Sequence, residues 1–172
     1  QVAYEPAVEV VGISRRRPDT GAEPYSLAHW RSIDIGSPAA GHLLPDAFRG
    51  ADAVVHLGWA LQPNHDEATM ARTNVAGTRA VLDAALDAGV TFLDTADIYG
   101  RSFGLSETLM GEALAGRRDD VVLATKFGHA DLAPALPGGA KGSRAHVRRA
   151  VEDSLRRLRT DWIDLYQLHT PD

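Results

Sequence analysis

The chain has 172 residues, a formal net charge of -5 and 44% hydrophobic content. That is apolar enough to bury a core, which excludes disorder as the main state, and acidic enough to disfavour a nucleic-acid surface. It holds no cysteine, which removes disulfides, thiolate metal sites and a cysteine nucleophile and points to a reducing cytoplasm.

No apolar run approaches bilayer length and no signal peptide is read at the start, so neither a membrane partner nor export is expected. The opening "QVAYEPAVEVV" reads like the interior of a domain. Lysine is scarce, with Lys126 and Lys141 the two present. His29, His42, His56, His65, His129 and His146 show no metal-ligand spacing, so no metal is expected.

In chain order, "VEVVGI" (8–13) reads as a buried parallel strand, followed by the loop "SRRRPDTGAEP". "RSIDI" is a short strand, and residues 53–57 are another that runs into a Gly-Trp turn. The longest helical pattern spans Glu67 to Ala88, with Asp66 as N-cap and Val75, Thr78, Leu82, Ala85 and Leu86 on one face. "TFLDTA" is a strand. Ser106 is read as the cap of a short helix through Leu114, whose start Glu107 supports. "DVVLATKF" is a strand, and a Gly- and Pro-rich loop follows it. Ser143 caps a helix with Val147, Val151, Leu155 and Leu158 on one face, and "WIDLYQLH" is the last strand. Strands alternating with helices predict an α/β protein with a mostly parallel sheet.

In such folds ligands gather at the C-terminal ends of the strands. Asp94, Tyr99, Lys126 and His169 stand there, brought by three consecutive strands. Each alone has an ordinary reading: a turn aspartate, a rim tyrosine, a solvated lysine, a core histidine. Together they make a coherent group. A phenol titrates near ~10, and an ammonium within hydrogen-bonding distance favours its ionised form. An aspartate can hold that ammonium, and an imidazole can orient a carbonyl oxygen. The sum is a proton donor for an oxygen whose carbon receives a hydride.

"GVTFLDTADIYGRSFGLSETLMGEAL", "DDVVLATKFG" and "SLRRLRTDWIDLYQLHTPD" resemble the aldo-keto reductase family over about residues 89–172. The resemblance implies a (β/α)8 barrel that reduces carbonyls with NADPH. It places the family's Asp, Tyr, Lys and His on Asp94, Tyr99, Lys126 and His169, in order and spacing. The matching strands look like the second, third and fourth of that barrel. The later strands, which carry most NADPH contacts in the family, do not occur in these residues.

"VVGISRRRP", "AFRGADAVVHLGWALQP" and "TNVAGTRAVLDAALDAGV" resemble a different group, the NAD(P)-dependent epimerase/dehydratases, over about residues 7–90. That resemblance implies a Rossmann fragment, with Arg15, Arg16 and Arg17 near a 2′-phosphate, Asp34 near the adenine and Gly58 beside the cofactor. The group's glycine-rich phosphate turn and its Tyr-x-x-x-Lys pair are both absent, since Tyr99 is followed four residues on by Phe103.

The expectation is therefore a chimera, 1–90 Rossmann- or epimerase-like and 91–172 aldo-keto-reductase-like, joined within "AALDAGV" (84–90). Its fold is expected to be one open, mostly parallel, Rossmann-like sheet of five or six strands with helices on both faces. The strand at 8–13 is placed beside 53–57, with 91–95, 121–126 and 163–168 following in order. The alternative is half of a (β/α)8 barrel that dimerises through its exposed edge strand. The expected function is a scaffold with little or no turnover, lacking both families' NADP(H)-phosphate sites. Two alternatives stand beside it: an NADPH-dependent reductase of a small-molecule carbonyl substrate, and a weak nucleotide-binding module.

Overall fold

A computed structural model of the chain describes residues 8–60, 66–100, 102–129 and 140–170. The opening stretch 1–7, His65 and most of the Gly- and Pro-rich loop (130–139) lie outside the described residues. The chain forms two compact units, Gln1–Gly89 and Val90–Asp172.

In the first unit, β1 (Val11–Ser14) and β2 (His29–Ser32) pair in parallel, with Val11 opposite His29 and Ser14 opposite Ser32. β2 begins two residues before the expected 31–35 strand and ends within it, at Ser32. Asp34 accepts the Gly36 N–H at 2.9 Å, so its side chain turns the backbone where the strand would have continued. Helix α1 (Ala40–Phe48) then packs on the long helical run. That run is composite: α2 (Glu67–Ala71), a π-helical segment (Arg72–Gly77) and α3 (Thr78–Asp87). Asp66 caps it as its sequence position predicts, accepting the Thr69 N–H at 2.9 Å. Asn74, in the π segment, is buried and bridges both backbone groups of Ala60, at 2.7 and 3.2 Å. Leu44, Ala47, Phe48, Val81, Ala84 and Ala85 form the core of this unit.

The expected strand at 53–57 does not form. β1 takes β2 as its partner instead, and Val55 and Leu57 are 78% and 85% exposed. A short apolar run has strand propensity, but a strand needs a neighbour to satisfy its backbone.

The second unit is a three-stranded parallel sheet in sequential order: β3 (Phe92–Asp94), β4 (Val122–Phe127) and β5 (Leu165–Leu168). Leu93 pairs with Leu123, and Lys126 with Gln167. The anticipated single Rossmann-like sheet of five or six strands is thus corrected. Among the described residues the strands form an α/β arrangement of two separate parallel sheets, one of two strands and one of three. The missing element at 53–57 is the strand that was to join them.

Helices α4 (Leu105–Ala113) and α5 (Arg144–Leu158) pack together over the sheet face bearing Leu93, Leu123 and Thr125. Helices on both faces were expected, yet Phe92, Val122 and Leu165 on the opposite face are exposed. Ser143 caps α5, accepting the His146 N–H at 3.4 Å. Ser106 does not cap α4. Gly104, at φ 78°, holds that position, and the Ser106 hydroxyl instead meets Thr95 Oγ1 at 2.8 Å. At the start of β5, Asp164 accepts the Leu123 N–H at 2.8 Å and an Arg118 N–H at 2.6 Å, which sets the β4–β5 register. Those two donors, the backbone one first, hold its carboxyl below the ordinary carboxylate range.

Gly111 marks the closest approach of α4 to α5. A Cβ there would lie 2.6 Å from the Arg157 and Leu158 carbonyl oxygens, which are backbone and cannot swing away. Gly111→Ala is expected to destabilise the protein by about 1–3 kcal/mol through overpacking. Urea denaturation would show a lowered midpoint, and an unchanged midpoint would mean the helices separate freely.

Candidate active site

The C-terminal edge of the β3–β4–β5 sheet gathers four polar side chains. Asp94 ends β3, Lys126 lies near the end of β4, His169 follows β5, and Tyr99 sits in the loop after β3. Parallel pairing with Lys126 opposite Gln167 brings the strand ends level, so their last side chains meet at one rim.

Lys126 is the hub. Its Nζ donates to Asp94 Oδ2 at 2.5 Å and to the Thr95 carbonyl at 3.0 Å. These two bonds use two of the three ammonium protons. The same Nζ lies 5.1 Å from the centroid of the Tyr99 ring, a cation–π contact. Tyr99 is 42% exposed and meets His169 edge-on at 5.7 Å. His169 is anchored by its own N–H on the Phe127 carbonyl at 2.8 Å, and its ring meets His129 edge-on at 4.8 Å. Burial, then the neighbouring His129 and Lys126, lower the His169 pKa, while Asp94 pulls the other way. The imidazole is therefore held toward its neutral form.

Behind this rim, on the helix-covered side of the sheet, lies a buried polar cluster. Glu107 is fully buried and takes hydrogen bonds from Arg157 Nε at 2.6 Å and Thr125 Oγ1 at 2.7 Å. Its expected role at the helix start is thus only part of its work: it ties α4 to α5 and β4. Asp97 is 4% exposed, and its Oδ1 has no partner among the described residues. Burial first, and Glu107 second, push the Asp97 carboxyl up to about 6, against the opposing pull of Arg157 and the backbone N–H groups of Gly128 and Ile98. Tyr166, on β5, is raised by burial as well. The sequence reading missed Asp97 and Arg157. Their signal was a polar residue two before Tyr99 and an arginine one short of the buried Leu158, and neither pattern reveals a partner fifty residues away.

The residues expected to hold the cofactor all lie in the first unit, each in its own local setting. Arg15, Arg16 and Arg17 are exposed after β1. Arg17 is already engaged, donating twice to the Trp30 carbonyl at 3.1 and 2.7 Å. Asp34 serves the turn at Gly36. Gly58 is exposed, and a Cβ there would meet Ile35 Cδ1 at 2.8 Å, so its small size answers to Ile35.

The Asp97 shift has a measurable consequence. An acid whose folded value is raised binds its proton more tightly in the folded state. Its contribution to stability is full below pH ~4 and is lost as pH rises through about 6. Asp97→Asn should therefore gain on the unmodified protein by up to about 3 kcal/mol between those values, with no relative gain in more acidic solution. Denaturation midpoints of both proteins at several pH values test this, and parallel curves would contradict it.

Comparison with known proteins gives the site a context. The chain is 43% identical over 140 residues to a 6-dehydroglucose reductase of Novosphingobium aromaticivorans, a match covering 75% of this chain and 43% of that protein. It is 46% identical over 101 residues to the aldo-keto reductase YhdN of Bacillus subtilis, covering 52% of this chain and 26% of the relative. The chain thus spans less than half the length of these curated relatives. Among solved structures, an aldo-keto reductase from Klebsiella pneumoniae in complex with NADPH is 40% identical over 55% of this chain and 29% of its own, with a TM-score of 0.44. The holo form of the aldo-keto reductase AKR11C1 from Bacillus halodurans is 43% identical over 54% of this chain and 30% of its own, with a TM-score of 0.43. The aldo/keto reductase family matches residues 58–172, so the stretch 58–90, given above to an epimerase-like half, falls inside it. The chain belongs to the aldo/keto reductase family.

Proposed function

We propose that this chain carries the proton-donating side of an NADPH-dependent reductase of aldehydes or ketones. One observation supports it above the others: Lys126, held by Asp94 at 2.5 Å, lies under Tyr99 at the shared rim of three parallel strands. The family match from Gly58 crosses the 84–90 boundary, which favours this reading over a scaffold joined from two unrelated halves. In the same reading, the sheet β3–β4–β5 is an arc of a barrel, and its exposed Phe92, Val122 and Leu165 face the interior.

The donor set fits a hydride-dependent reduction. It offers protons and hydrogen bonds, and none of its four side chains can release a hydride. Bound NADPH would supply that hydride to the carbonyl carbon. Tyr99 Oη gives its proton to the carbonyl oxygen. Lys126 stabilises the negative charge left on the Tyr99 phenolate, and Asp94 keeps the ammonium in place. His169, held toward neutrality, orients the carbonyl oxygen without adding a second cation beside Lys126. Tyr99 and Lys126 would line the nicotinamide end of a bound cofactor.

Loss of a general acid in the transition state costs roughly 100- to 10,000-fold. Tyr99→Phe should lower NADPH oxidation with a generic aldehyde into that range while the fold, read by circular dichroism, is unchanged. Lys126→Met should act in the same direction. Full turnover in Tyr99→Phe would overturn the assignment.

A further inference from the structure

The Nδ1 of His169 is buried and has no hydrogen-bond partner among the described residues. The direction of its ring is therefore left to the backbone and to the side chains packed against it. That backbone is fastened to the end of β4, by the His169 N–H on the Phe127 carbonyl at 2.8 Å. The next residue crosses to the same turn. Thr170 Oγ1 donates to the Gly128 carbonyl at 3.1 Å and accepts from Lys141 Nζ at 3.0 Å. A hydroxyl has one proton, so giving it to Gly128 leaves the lone pairs for the ammonium, and each bond polarises the other. Gly128 makes room for this arrangement at φ 75°. A Cβ built there would lie 3.0 Å from Leu168 Cδ1 and 3.3 Å from Lys141 Cβ. The stem of Lys141 thus lies on the same turn whose carbonyl Thr170 holds.

We propose that Thr170 is a positioning residue for His169: its hydroxyl latches the turn after β5 to the turn after β4, and Lys141, from the segment before α5, locks it. Three stretches of chain meet at this one part-buried hydroxyl. The consequence falls on the rings. With Gly128 and Thr170 drawn together, the residues beside them, His129 and His169, meet edge-on at 4.8 Å, and His169 meets Tyr99 at 5.7 Å. The groups facing His169 are His129 after β4, Lys126 on β4, Asp94 on β3 and Tyr99 in the loop after β3. His129 and Lys126 disfavour a charged imidazole, as burial does, so the latch also holds His169 toward its neutral form. The latch deepens the reductase reading, on which its catalytic meaning rests: a carbonyl oriented by His169 is placed no better than the ring itself.

The test reads the imidazole directly. In protein labelled with 13C-histidine, the ring signal lost in His169→Gln belongs to His169. Thr170→Val, which keeps the shape and removes the hydroxyl, should shift that signal and raise its titration midpoint toward the ordinary histidine value near ~6.5. Thr170→Ser, which keeps the hydroxyl, should leave both as they are in the unmodified protein. An unmoved His169 in folded Thr170→Val overturns the proposal, and so does a Thr170→Ser variant displaced as far as Thr170→Val. Should Thr170→Val fail to fold, Thr170→Ala, which leaves room for water at the two freed groups, is compared with Thr170→Ser by the same readings and decides in the same way. Turnover separates the two readings. In an active enzyme, Thr170→Val should lower kcat/KM for a generic aldehyde roughly 10- to 100-fold and leave the KM for NADPH unchanged. A moved His169 with kcat/KM intact overturns the positioning role. A His169 that responds as described in a protein with no carbonyl reduction would sink the reductase reading and leave the latch standing.

Discussion

Burial of the Glu107 carboxylate is the constraint around which the second unit is arranged. A charge with no solvent access must be matched, and truncating one partner of such a pair commonly costs 3–5 kcal/mol. Arg157 reaches it from α5 and Thr125 from β4, so three elements must meet at fixed positions. Gly111 lets α4 and α5 approach closely enough for that meeting, and the αL conformation of Gly104 starts α4 where Glu107 can reach it. The sheet's other face then remains available for chemistry. Asp94 and Lys126 project from that face at its C-terminal edge, and their short ion pair lies on the side away from the cluster.

Two carboxylates near one edge of the sheet have opposite fates. Asp94 is partly open to solvent and paired directly with an ammonium. Asp97, three residues on, is buried beside another carboxylate and holds its proton to about 6. Period-two alternation sends the first to the open face, and the turn after β3 sends the second beneath the rim. The two environments are thus separated along one loop: one carboxyl is paired with Lys126, and the other is pushed toward its protonated form by burial. His169 is set by the same logic, since desolvation keeps it from competing with Lys126 as a cation.

Much of this was legible in the residues. Asp66 and Ser143 were readable as caps because a short polar side chain before an apolar run satisfies nearby N–H groups locally. The strands β3, β4 and β5 were readable because each is an apolar run with turn signals around it, and their sequential order follows from short helical crossovers. The gathering of Asp94, Tyr99, Lys126 and His169 at one rim followed from those strands. Elsewhere local patterns misled. Residues 53–57 have strand composition but no partner strand, and Ser106 has cap chemistry but sits inside the helix. Arg17 looked like a phosphate ligand and is spent on a backbone carbonyl. The boundary drawn at 84–90 followed a likeness in "NVAGT" and "DAVVHLGW", whereas the family match reaches back to Gly58.

By itself, then, the sequence determined the local elements whose signals are short-ranged: caps, apolar periods, and which strands end in polar residues. It also carried the order and spacing that mark the aldo/keto reductase family. Only the tertiary structure decided what each charge would meet. The partners of Glu107 lie 18 and 50 residues away, at Thr125 and Arg157, and no periodicity encodes such a pairing. The strand that failed at 53–57 and the proton held by Asp97 have one physical cause in common. A backbone group or a carboxyl takes its state from the neighbours that folding brings to it, and those neighbours are absent from its own stretch of chain.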